Sequence, residues 1–113
     1  MDKVEPIVLS YEDGQEYVIE FSRETVEQAE RAGFTLDDFE DKMMTRIPQL
    51  IFWGLKMHHP TISKEKADKI LFEDLGGVSR ALIERLMKLY SAGYDTLVNE
   101  TGKPKNPKLT VRF

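Results

Sequence analysis

The sequence predicts an α+β domain that is mostly α: an N-terminal β-hairpin, about five helices with the last one long, and a flexible C-terminal tail. Three observations predict it. Two β-prone runs, PIVLSY and EYVIEF, bracket an Asp-Gly turn. Apolar residues between Val78 and Asn99 recur at helical spacing over about six turns. Between them, Ile47 to Pro60 (IPQLIFWGLKMHHP) concentrates Ile47, Leu50, Ile51, Phe52, Trp53, Leu55 and Met57 in one short segment of a charged chain. A short helix that is apolar on most of its faces must be wrapped by other elements or by a partner.

The elements follow in order. In the second run of the hairpin, Tyr17, Ile19 and Phe21 share one face, and Glu16, Val18 and Glu20 the other. A lone hairpin is marginal in water, so its apolar face must lie on the helices or its edge must pair with another chain. Ser22 suits a helix N-cap, and the helix from Arg23 to Ala32 turns Val26 and Ala29 inward. Gly33 is placed to end that helix in a left-handed conformation, with Phe34 folding back over it. Thr35 caps a second short helix from Leu36 to Met43, with Leu36, Phe39 and Met43 apolar and Asp38 completing a partial capping box. Thr45 caps the third helix, Pro48 falls in its first turn, and Pro60 ends it. Gly54 in mid-helix costs about 1 kcal/mol against alanine, which a close helix crossing would explain. Ser63 caps a fourth helix from Lys64 to Leu75, which buries Ala67, Ile70 and Leu71. Gly76-Gly77 then breaks the chain before the long helix, whose apolar positions include Val78, Leu82, Leu86, Leu89, Tyr90, Gly93, Tyr94 and Leu97.

The 113 residues fit one domain, with residues 1–100 globular (hairpin 1–21, helical 22–100) and 101–113 a basic tail. At this length roughly two-thirds of the unfolded surface is buried on folding, enough for one modest core. A composition of 41% hydrophobic and 32% charged residues is that of a globular chain. There is no cysteine, which excludes disulfides, thiolate nucleophiles and thiolate zinc sites. The start MDKVEPIVLSYED does not read as a secretory signal, and no apolar run approaches membrane-spanning length. A cytoplasmic location is the expectation, with no membrane partner.

Charge is unevenly distributed. Residues 1–50 carry 13 acids and 5 bases, net −8, whereas residues 51–113 carry 7 acids and 11 bases, net +4. One explanation is solvated helix faces that segregate by sign. The other is head-to-tail association, the acidic half of one copy meeting the basic half of the next, which forms rings or open spirals. The acidic total argues against a nucleic-acid partner.

No constellation reads as catalytic. His58 and His59 are adjacent, so on a helix they point about 100° apart and do not easily share one ion. No HExxH spacing exists, and no metal or cofactor is expected. A helix C-terminal role, with one imidazole packed under the next loop, is the simpler reading. Asp37-Asp38 and Glu40-Asp41 read as solvated surface near a helix start. Gly76-Gly77 lacks the GxxxxGK[ST] pattern and reads as a helix–helix turn. The large aromatics are mostly core in a chain this size; any that is exposed marks a binding surface.

The segments ERAGF (Glu30 to Phe34), LIFWGLKMHHP (Leu50 to Pro60) and LYSAGYDTL (Leu89 to Leu97) lie within a longer likeness spanning Tyr17 to Val98. Over that span the chain resembles small proteins of tailed phages and prophages of Gram-positive bacteria, placed among tail assembly chaperones. The resemblance implies a non-enzymatic protein that coats the hydrophobic, helical tape measure protein, keeps it soluble and yields to tail-tube subunits. It supplies no binding residues position by position. From the residues themselves, a groove between the third and fifth helices is expected to take an amphipathic partner helix through Phe52, Trp53, Met57, Tyr90 and Tyr94. Methionine adapts to many partner sequences.

The tail carries a separate expectation. Two prolines, one glycine and three lysines make its first part a linker, and Leu109, Val111 and Phe113 alternate with Thr110 and Arg112. That alternation suits addition to a sheet edge of a neighbouring copy, giving a homo-oligomer, or a terminus without fixed structure. Two competing functions stand beside the chaperone. A structural virion protein, such as a head–tail connector or tail-completion subunit, remains in mature particles. A small acidic regulatory or anti-host protein binds a basic host partner with strong salt dependence.

Overall fold

The computed structural model describes residues 4–97 and 105–112. Strands β1 (Ile7–Ser10) and β2 (Glu16–Ile19) form an antiparallel hairpin, followed by α1 (Arg23–Arg31), α2 (Met43–Lys56), α3 (Lys64–Lys69) and α4 (Arg80–Asp95). A π-helical turn, Ile70–Asp74, continues α3. The chain is therefore α+β and mostly α, with four α-helices among the described residues where the sequence predicts about five.

The hairpin pairs Ile7 with Ile19, Val8 with Val18, Leu9 with Tyr17 and Ser10 with Glu16. Alternation puts Ile7, Leu9, Tyr17 and Ile19 on the face packed against the core, and Ile19 is fully buried. Ser22 caps α1 with a reciprocal pair: Thr25 N–H donates to Ser22 Oγ, and Ser22 N–H donates to Thr25 Oγ1. The other end closes as expected. Gly33 adopts φ +95°, Phe34 N–H donates to Ala29 O and Gly33 N–H to Glu30 O, and Phe34 is buried.

The helix expected over Leu36 to Met43 does not form. Thr35 Oγ1 accepts from Asp37 N–H, and the next residues make a run of tight turns, Phe39 to Leu36 and Lys42 to Asp38 and Phe39. Asp37 and Asp38 favour local side-chain hydrogen bonds over a helix interior. What fixes this segment is Arg46, which clamps Asp38 with two hydrogen bonds (2.8 and 2.9 Å) and also donates to Gly33 O and Gln49 Oε1. That clamp lets α2 start earlier than the expected Thr45 cap: Lys42 holds the cap position and Thr45 lies inside the helix. Pro48 is then interior, and it cannot donate to the Met44 carbonyl.

Helix α2 is the hub, packing against β2, α1, α3 and α4. Its buried face is Ile47, Leu50, Ile51, Gly54 and Leu55. Gly54 sits under the hairpin and not at a helix crossing: a Cβ there would stand 2.5 Å from Ile19 Cγ2. The core also holds Ala67, Ile70, Leu71, Leu86 and Leu89. Helix α4 begins after a Ser79 cap and its buried stripe ends at Gly93; it stops at Asp95, where Leu97 N–H donates back to Tyr94 O, short of the expected end at Asn99, and residues 98–99 lie outside the described residues. Tyr94 and Leu97 are 48% and 74% exposed, contrary to their expected inward positions.

Candidate partner-binding surface

The five expected partner-binding residues do not form one groove. Tyr90 is core: it is 5% exposed and packs edge-on between Phe21 and Phe34, at 5.3 and 5.1 Å. Burial pushes its phenol up to about 12, with Glu30 and Tyr94 adding to the shift. It is thus largely enclosed, although with Tyr94 it lines one open hollow of about 370 Å³. Phe52 and Trp53 are half-buried and stack edge-on against each other at 5.0 Å, with Lys56 over the Phe52 ring. Met57 is partly exposed just beyond α2. Tyr94 faces another side, beside Arg23, Val26 and Glu30 of α1. Of the tail residues, Leu109 and Val111 are exposed and form no strand, and Phe113 lies outside the described residues.

The more coherent apolar surface lies elsewhere. Met43, Met44, Ile47 and Pro48 of α2, Leu71 and Phe72 of the π-helical turn, and Val78 and Ile83 at the start of α4 line an open cleft of about 300 Å³. Met44 is 82% exposed and Phe72 53%. Local folding explains both. Met43 and Met44 are adjacent, so no single helix face hides the pair. Phe72 lies one residue past the buried pair Ile70 and Leu71. The π-helical turn ends with Leu75 N–H donating to Ile70 O and Gly77 N–H to Leu71 O. Gly76 and Gly77 then take φ of +67° and +106°, turning the chain into α4 and closing the cleft's third wall. The sequence did carry a signal for this site: the Met-Met pair and an apolar residue off the helical stripe.

A family model described as a domain of unknown function, DUF5055, matches residues 2–113. The chain belongs to the DUF5055 family. No curated protein and no solved structure matches it.

In this DUF5055 chain the two histidines serve the hairpin. Val18 N–H donates to His59 Nε2 at 3.0 Å, and His58 Nε2 lies 2.8 Å from Glu20 Oε1. Glu20 N–H also donates to Gly54 O, so β2 is stitched to the C-terminal end of α2 along its outer edge. His59 must be neutral to accept that bond, and burial, followed by the neighbouring His58, lowers its pKa. The hairpin tip is held by a second tie: Tyr11 donates to Asp74 Oδ2 at 2.5 Å, and that bond with burial pushes the phenol up to about 12. Among the described residues no helix is long and apolar enough to cross a membrane.

Proposed function

We propose that the chain is a non-enzymatic binding protein, a tail assembly chaperone that holds an apolar helix of the tape measure protein in the host cytoplasm. One observation carries the reading: the open cleft walled by Met44, Phe72 and Ile83, whose lining is almost wholly apolar and whose two largest rims stand in solvent. Exposed apolar patches of this kind mark contact with another macromolecule. An amphipathic helix laid along such a cleft inserts residues spaced i, i+3, i+4 and i+7. Methionine side chains re-pack around different insertions, which suits a long partner with many similar segments. The histidines, engaged by Val18 and Glu20, supply no free acid–base pair.

The test is co-expression with the tape measure protein. A several-fold rise in the soluble fraction of that protein, with the two co-purifying, is expected. An unchanged soluble fraction, or this chain found in mature particles at fixed stoichiometry, overturns the reading.

A further inference from the structure

Beside the methionine cleft lies a second, larger hollow of about 790 Å³, between the turns after α1 and the first half of α4. Its floor is apolar, from Leu36, Phe39, Ile83 and Met87. Its rim is acidic: Asp37, Glu40, Asp41 and Glu84, with Arg80 as the one base. None of these four carboxylates has a salt-bridge partner among the described residues; Asp38, the fifth acid there, is taken by Arg46 and Lys42. The C-terminal segment has the opposite character. Residues 105–113, KNPKLTVRF, contain Lys105, Lys108 and Arg112, no acid, and the apolar Leu109, Val111 and Phe113.

We infer that the basic, apolar segment 105–113 of one copy docks in the acid-rimmed hollow of the next, joining copies head to tail. The occupant is a second copy and not the same chain. Within one chain Leu109 and Val111 stay 59% and 55% exposed, and none of residues 105–112 lines the hollow. Charge complementarity fixes the pairing: the lysines and arginine meet the rim while leucine and valine meet the floor. Because donor and acceptor surfaces differ, the contact is heterologous and propagates into a ring or an open spiral. The hollow adjoins the methionine cleft and shares Met43 and Ile83 with it, but its acidic rim does not line that cleft, so charge reversal at the rim tests the docking apart from the partner-helix reading.

The experiment needs this chain alone. Light scattering measures the mass of the full chain, of Lys105→Glu/Lys108→Glu, of Glu40→Lys/Asp41→Lys, and of the four changes combined. All four side chains are exposed and make no hydrogen bond or ion pair among the described residues, so the fold is left intact. Association of the full chain, dissociation to monomer in each charge-reversed pair and re-association in the combined variant are expected. A monomeric full chain, an unchanged mass in either pair, or a combined variant that stays monomeric overturns the inference.

Discussion

Gly54 of α2 and Ile19 of β2 touch so closely that a Cβ on the glycine would lie 2.5 Å from Ile19 Cγ2, with Phe21 at 3.1 Å. This contact fixes how near the hairpin sits to the hub helix. Ile19 is fully buried and β-branched, so it cannot swing away cheaply.

Gly54→Ala is expected to destabilise the fold. Overpacking costs about 1–3 kcal/mol and the better helix former returns about 1 kcal/mol, leaving a net loss of up to about 2 kcal/mol. Chemical denaturation of the single and double variants checks it. In an Ile19→Ala background, where Cγ2 is gone, the cost of Gly54→Ala should largely vanish.

Stability should fall in mild acid through His59. Its pKa is lowered in the folded chain, so the unfolded chain binds more protons as pH drops below the usual 6.5. The contribution is fully present above 6.5 and is lost as pH falls toward the lowered folded value. Protonation also removes the acceptor for Val18 N–H. His59→Gln keeps an acceptor that does not titrate. Its melting temperature should decline less between about pH 7 and pH 5 than that of the native chain.

Asp38 governs a second acid limb. The Arg46 hydrogen bonds hold its carboxyl below the usual carboxylate range. Its contribution is therefore present above the unfolded value of 3.8 and is lost as pH falls through the lower folded value. Asp38→Asn should lower the melting temperature at neutral pH and flatten the acid-unfolding curve below about pH 4. Circular dichroism across that range reads both.

Pro48→Ala should stabilise α2. It restores a donor toward the Met44 carbonyl and removes the ring, a gain of up to about 3 kcal/mol. Proline's restriction of the unfolded chain offsets about 0.4–1 kcal/mol of that. A melting temperature raised by several degrees is the expected result.

The sequence made the hairpin, the Ser22 and Ser63 caps, the Gly33 stop and the buried Ala67, Ile70 and Leu71 legible, because each rests on local chemistry within a few residues. The helix expected after Thr35 failed because Arg46, eight positions beyond Asp38, captures that carboxylate. No local pattern reports such a bond. Gly54 in mid-helix signals a close approach, but a strand rather than a helix makes it. The candidate surface is less legible. Aromatic bulk drew attention to Tyr90, which Phe21 and Phe34 enclose. The exposed Met44 and Phe72 are brought together only by the π-helical turn and the glycine pair after it.

The most direct measurement is binding of the tape measure protein by Met44→Asp/Phe72→Asp. Both side chains are exposed, so the variant should fold and melt like the native chain. Its affinity, read by titration calorimetry, should fall at least about tenfold, since charges placed in an apolar contact cost more than 1.4 kcal/mol. Native affinity in the folded variant would contradict the assignment of the cleft.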